Sequence, residues 1–235
     1  MADFKTHITA SSLLGIGYGA AGHFMYDLPL PSCILAGALC GVSGMLPDID
    51  SGPGRPLRES LAFAAAVVPM MLVDRLEQLG LSQESIVLAG GAIYLLVRFG
   101  LGAFLRRYTV HRGMFHSIPA AIIFGELAFL LASGELDLRI YKAGGVVAGY
   151  LAHMLLDEFY SIEWYRGRLR FKKSFGTGLK LFSHSLWANL TTYAKLAALT
   201  YIVLHEPGWT QQIYQENVQQ HIHQVADQAR QHLTR

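Results

Sequence analysis

Charge is what this sequence has least of. Only 15% of its 235 residues are Asp, Glu, Lys or Arg, where a soluble domain carries about a quarter. With 52% hydrophobic residues and a mean hydropathy of +0.31, the deficit argues against one large soluble core and for a polytopic membrane protein. Cysteine is almost as scarce. Cys33 and Cys40 stand seven residues apart in one apolar run, too far to bridge along a helix, and read as small buried hydrophobes. Met1–Thr6 carries one lysine and one aspartate, and no small-residue cleavage site comes after a short apolar core, so no secretory signal is recognisable. The first apolar run therefore reads as a retained span. The net charge of +2 decides nothing; the placement of the basic residues does.

Against these scarcities stands a series of apolar runs: Ile8–Tyr26, Ser32–Leu46, Leu61–Val73, Ile86–Leu105, Ile118–Ala132, Ala143–Tyr160 and Leu190–Leu204. They predict an all-α, polytopic helical bundle of about seven spans, some of them short enough to be tilted or half-embedded. Asp74–Glu84 reads as a mixed-charge loop and Gly134–Arg139 as a turn. Residues 1–207 form the embedded domain. Residues 208–235 form a tail, an amphipathic helix with Val218, Ile222, Val225, Ala229 and Leu233 at spacings of three and four.

Basic residues set the orientation. With the N-terminus in the cytoplasm, Lys5, Arg55, Arg58, Arg106, Arg107, Arg112, the Arg166–Lys173 segment and Lys180 fall inside. Outside are Arg75, Arg139, Lys142, Arg230 and Arg235. This is the positive-inside bias. The same assignment carries His7, Asp48, Asp50, His111, His116, His153 and Asp157 to cytoplasmic ends of their spans, although it rests on none of them.

Imidazole with carboxylate is a ligand set for zinc, manganese or iron. His153 and Asp157, four apart, share a helix face. His111 and His116 flank a glycine-containing loop, and Ser117 reads as the N-cap of the next helix, with Pro119 in its first turn. Asp48 and Asp50 flank one residue of a Pro-initiated turn; either can orient a water or act as general base. The expected centre gathers His7, Asp50, His111, His116, His153 and Asp157 around one or two divalent ions, zinc or alternatively manganese, with Asp48 as a bridging ligand or base. Arg112 is placed to neutralise a phosphoryl group. Deep in the spans, Arg98 and Glu126 are expected to pair, since isolated charge is costly there.

Thr6-His7, Leu46-Pro47-Asp48-Ile49-Asp50, His111-Arg112-Gly113 with His116-Ser117, and His153-x-x-x-Asp157, in that order, resemble the LexA-binding, inner-membrane-associated hydrolase family, also described as membrane-bound metal-dependent hydrolases. The resemblance covers about residues 1–185 and includes Ser174–Phe182. Met114-Phe115 departs from the family pattern, in which a Thr often precedes the second histidine. The family is distantly similar to zinc-dependent phospholipase C and single-strand-specific nucleases. The resemblance therefore implies a metal-dependent hydrolase of the inner membrane, acting at the cytoplasmic face on a phosphoester, with lipids among the candidate substrates.

Two other classes compete with this reading. One is a non-catalytic membrane module with a structural metal site, whose basic Arg166–Lys173 segment, interleaved with Leu169 and Phe171, binds anionic lipid or a cytoplasmic protein. The other is an ion transporter using Arg98 and Glu126; against it, the polar residues cluster at one end of the spans. Nucleic acid is the least expected partner. The topology has a direct check. Single cysteines placed at Gly54 and Gly167 should label from the cytoplasmic side and one at Gly134 from the opposite side; labelling of 54 and 134 from the same side sinks the orientation.

Overall fold

The computed structural model describes residues 3–50, 54–104, 114–165, 168–171, 179–183, 185–207 and 209, with backbone alone for Asp50, 163–165 and 168–171. The expected tail helix, His111, Arg112 and Ser174–Gly178 lie outside the described residues.

Each apolar run forms a helix. Asp3 caps α1 (Phe4–Tyr26), its carboxylate accepting from the Thr6 amide at 2.8 Å. The helix ends where Asp27 turns left-handed (φ 53°) and the Leu28 amide returns to the Gly22 carbonyl at 3.0 Å. Pro31 sits in the first turn of α2 (Leu30–Ser43), where a missing amide costs nothing. A 3-10 turn (Leu46–Asp50) leads into α3 (Arg55–Met71). A short α4 (Val73–Gln78), α5 (Gln83–Leu95) and a π-helical turn (Leu96–Leu101) follow. Then come α6 (Ile118–Leu131), α7 (Leu136–Phe159), an antiparallel hairpin of β1 (Ile162–Tyr165) and β2 (Arg168–Phe171), and α8 (Leu186–Leu204).

Glycine lets the first helices touch backbone to backbone. A Cβ on Gly15 would stand 2.3 Å from the Gly37 carbonyl oxygen, and one on Gly37 would stand 2.6 Å from the Gly15 carbonyl oxygen. On α7, a Cβ on Gly149 would stand 1.9 Å from the Cys40 carbonyl oxygen. Small residues at such contacts are how helices pack closely in lipid. Polar cross-ties complete the contact. The Ser11 hydroxyl bonds the Gly41 carbonyl at 2.7 Å. Tyr18 and Tyr141 stack at 4.5 Å, each hydroxyl donating to the other's backbone carbonyl. Helix α6 packs on α7 through Ala120, Ala121, Tyr150 and Met154, and α3 covers Ile49 with Leu57 and Leu61.

Two stretches, 55–78 and 83–104, are long and apolar enough to cross a membrane, and no residue of α5 is buried. Helices α2 and α6 are apolar but shorter. The described chain is helical throughout, as expected, apart from the hairpin that forms after Ser161. Two expectations are revised. The 74–84 loop contains α4, which continues nearly in line from α3. Glu126 hydrogen-bonds Thr200 of α8 at 2.5 Å and does not pair with Arg98, whose π-helical turn packs beside α3.

At the end of the bundle away from His7, Glu206 bridges Arg75 and Arg139, each at 2.9 Å. The Arg139 guanidinium lies 4.2 Å from the Phe129 ring centroid and bonds the Phe129 carbonyl. This cluster fastens the end of α8 to α4 and α7.

Gly149→Ala drives a methyl into backbone that cannot move aside, and overpacking of this kind costs about 1–3 kcal/mol. Gly17, with nothing within 4 Å of its Cβ position, is the control. Gly17→Ala gains helix propensity, about 0.5–1 kcal/mol. Thermal unfolding in detergent should therefore shift down for Gly149→Ala and up for Gly17→Ala; equal shifts would mean that the close contact is not formed.

Candidate metal centre

Four separate segments deliver side chains to one end of the bundle. His7 comes from the first turns of α1, and Asp48 from the 3-10 turn. His116 comes from the loop before α6, and His153 and Asp157 from the last turns of α7. His7 Nε2 lies 3.2 Å from Asp157 Oδ1. His116 Nε2 is 3.4 Å from Asp48 Oδ1 and 3.8 Å from Asp157 Oδ2. His153 Nε2 is 3.8 Å from Asp48 Oδ1 and 3.7 Å from Asp157 Oδ2. The His7 and His153 rings stack at 3.7 Å. Two ligand atoms bound at ~2.1 Å to one tetrahedral ion stand about 3.4 Å apart, so these separations are those of a ligand shell.

The hydrogen bonds around the cluster leave its nitrogens facing inward. His153 Nδ1 lies 2.7 Å from the Gly44 carbonyl oxygen. A carbonyl only accepts, so Nδ1 carries the proton and Nε2 presents a bare lone pair. That Nε2 is buried without a hydrogen-bond partner, and so are His116 Nε2 and His7 Nδ1. A lone pair aimed at carboxylate oxygens is repulsive unless a cation lies between them, and a ring held by a backbone carbonyl is how metal-binding histidines are oriented. With one nitrogen protonated and the other bare, the His153 ring is neutral, as a ligand must be. Burial alone would raise the Asp48 carboxyl. The close approach of His116 and the positive charge that His153, His116 and His7 carry when protonated outweigh it and hold the carboxyl below its ordinary value.

Two overlapping triads have ligand atoms all within 4.8 Å of one another: His7, Asp48 and His153, and His116, His153 and Asp157. Side-chain exposure is 0–5% for His7, His153 and Asp157, but 12% for His116 and 29% for Asp48. The cluster is therefore closed on the α1–α7 side and open towards Asp48.

Of the residues expected from sequence, the structure brings together His7, Asp48, His116, His153 and Asp157. The Asp50 backbone closes the 3-10 turn; its side chain, together with His111 and Arg112, lies outside the described residues. Sequence reasoning missed two supports. One is the Gly44 carbonyl. The other is Tyr150, one turn before His153, whose hydroxyl donates to the Phe115 carbonyl and pins the loop carrying His116. The spacing of Tyr150 from His153 on one helix face was the available signal; nothing local marks a glycine carbonyl.

A helical bundle with a histidine–aspartate cluster at one end, and two apolar stretches long enough to cross a bilayer, defines a class of membrane-associated proteins with a candidate metal centre. Comparison with known families gives the class a name. The family described as YdjM inner membrane protein matches residues 1–167, which include all five clustered residues, and the chain belongs to that family. Neither a curated relative nor a solved structure matches.

Ser117 adjoins the centre but serves the helix. Its hydroxyl accepts from the Ala120 amide at 3.3 Å and donates to the Met114 carbonyl. Ser117→Ala should lower the stability of the purified chain by about 1 kcal/mol, the worth of an N-cap. Equilibrium unfolding with the metal content measured alongside checks this: loss of bound metal without loss of stability would make Ser117 a ligand.

Proposed function

We propose that the protein is a membrane-bound, metal-dependent hydrolase acting on a phosphoester, that of a lipid in the first place, at the cytoplasmic face of the inner membrane. The observation that carries this reading is the inward-facing, unpartnered Nε2 of His153 beside the carboxylates of Asp48 and Asp157. His7, Asp48, His116, His153 and Asp157 would hold one or two divalent ions, zinc or alternatively manganese, with Asp50 and His111 completing the shell. An ion so held would acidify a bound water and polarise a phosphoryl oxygen. Asp48, the most exposed of the five, would serve as a bridging ligand or as the base that takes a proton from water. Arg112, four residues before His116, neutralises the phosphoryl oxygens through its planar fork. The remaining helices complete a multi-pass domain in which α2 and α6, too short to cross the hydrocarbon core, are half-embedded or thin the bilayer locally.

A non-catalytic module with a structural metal is the second reading, favoured by the near-complete burial of His7, His153 and Asp157. Structural sites are closed, whereas a catalytic site keeps one position open; the exposure of Asp48 supports the catalytic reading.

Metal analysis of the purified full chain, paired with hydrolysis of phosphodiester reporters and phospholipids, separates the two. One or two zinc or manganese ions per chain are expected. His153→Ala and Asp157→Ala should each lower bound metal and cut hydrolysis more than about 100-fold, beyond what loss of an outer-shell group causes. Arg112→Lys should retain the metal and raise KM. Bound metal with no hydrolysis of any phosphoester would establish the structural module, and a chain that binds no divalent metal would end both readings.

A further inference from the structure

Between α1 and α2 an apolar groove of about 580 Å³ lies open on the outside of the bundle. Its floor is formed where the two helices touch. The Gly15 and Gly37 backbones are pressed together there, since a Cβ on either would meet the other's carbonyl oxygen. Its rims are exposed large apolar side chains, Ile16 and Phe24 from α1 and Leu30 and Ile34 from α2. Among the described residues, no Asp, Glu, Lys or Arg lines it, and Ser12, His23 and Cys33 stand towards its two ends.

One end of the groove lies beside the histidine–aspartate cluster. Ile8, its first lining residue on α1, follows His7, whose Nε2 is 3.2 Å from Asp157. Val42, its last on α2, stands two residues before Gly44, whose carbonyl holds the His153 ring. From Ile8 to Phe24 the groove follows α1 for about 24 Å, at ~1.5 Å per residue. One leaflet of a ~30 Å hydrocarbon core is about 15 Å deep, so an extended acyl chain fits along it. The rim side chains would hold a second helix, about 10 Å across, away from the floor, whereas a single hydrocarbon chain reaches it.

We propose that this groove seats one acyl chain of a membrane phospholipid whose headgroup phosphate lies at the His7–Asp157 end. Inside a bilayer the hydrophobic effect does not favour the groove over neighbouring lipid. What the groove supplies is register: a chain laid along α1 holds its phosphate at the depth of the cluster, and such positioning is itself a large part of catalysis. The substrate class narrows accordingly to phospholipids with long acyl chains. The placing of the headgroup at the cluster rests on the phosphoester reading above; occupancy by a hydrocarbon chain rests on the walls of the groove alone.

The test uses the full chain reconstituted into vesicles of phosphatidylethanolamine and phosphatidylglycerol, with a trace of phosphatidylglycerol carrying a diazirine on one acyl chain. Photolabelled residues are mapped by mass spectrometry. A diazirine close to the ester should label Ile8, Ser12 and Val42, and one close to the chain end should label Ala20 and Ile34. Exposed apolar residues elsewhere, such as Leu88 and Trp187, should label weakly with both. Ala38, exposed on the groove wall, is the place for a plug: Ala38→Phe should abolish the groove labels with thermal unfolding at the parental value. Ala198→Phe, at an exposed position of α8, should leave them unchanged. Labelling spread evenly over the exposed apolar residues would overturn the proposal, and so would groove labels that survive in a folded Ala38→Phe chain. The reverse register would put the headgroup at the far end and overturn its alignment with the cluster. Absence of groove labels, with chemical cross-links joining α1 of two chains, would seat a second copy there and overturn the proposal equally. Labels in the expected register with no phospholipid hydrolysed would uphold the groove and sink the hydrolase; hydrolysis with even labelling would do the opposite.

Discussion

Everything at the histidine–aspartate cluster hangs on how closely α7 approaches α2. Gly149 meets the Cys40 carbonyl with no room for a methyl between them, and one turn further along α7 His153 donates to the Gly44 carbonyl just past the end of α2. The same approach draws α1 in, through Gly15 against Gly37 and the Tyr18–Tyr141 pair, and so carries His7 into stacking contact with His153. Were the helices held apart by ordinary side chains, at the usual 8–10 Å between axes, His7 would not reach Asp157 across the gap. Glycine in a helix interior sacrifices propensity, and the sacrifice is offset here by backbone contact that side chains of any size would prevent.

The two ends of the bundle deal with charge differently. At the far end, Glu206 is matched by Arg75 and Arg139, and Arg139 is further settled on the Phe129 ring and carbonyl. That end is balanced by its own side chains. At the centre, the carboxylates of Asp48 and Asp157 face imidazoles, and that of His153 gives its Nδ1 proton to the Gly44 carbonyl and turns Nε2 towards them. Neutral lone pairs do not offset buried carboxylates, which are costly unless paired. A divalent ion is the compensation we propose, and the contrast between the ends is why we place the chemistry at one of them only.

The surface of the bundle is apolar in turn. Helices α1, α5 and α8 expose large apolar side chains such as Ile16, Leu88 and Trp187, suited to lipid rather than water.

The amino-acid sequence was sufficient for whatever depends on neighbours within one helix. Apolar runs became helices, Ser117 became a cap, and His153 and Asp157 came onto one face, because period and capping are local properties. Residues at run ends also collected at the ends of the bundle, since a helix must start and stop at a surface. Short polar segments escaped: α4 and the hairpin are brief, charged and without a sustained period, and nothing local says that Ile162 will face Phe171. Glu126 escaped as well, finding a threonine 74 residues away in preference to the arginine nearer in sequence. Only the tertiary structure chose the Gly44 carbonyl for His153 Nδ1, and with it the nitrogen left bare. That choice rests on a contact across 109 residues, between a ring and a backbone group that every residue possesses, so composition and spacing carry no trace of it.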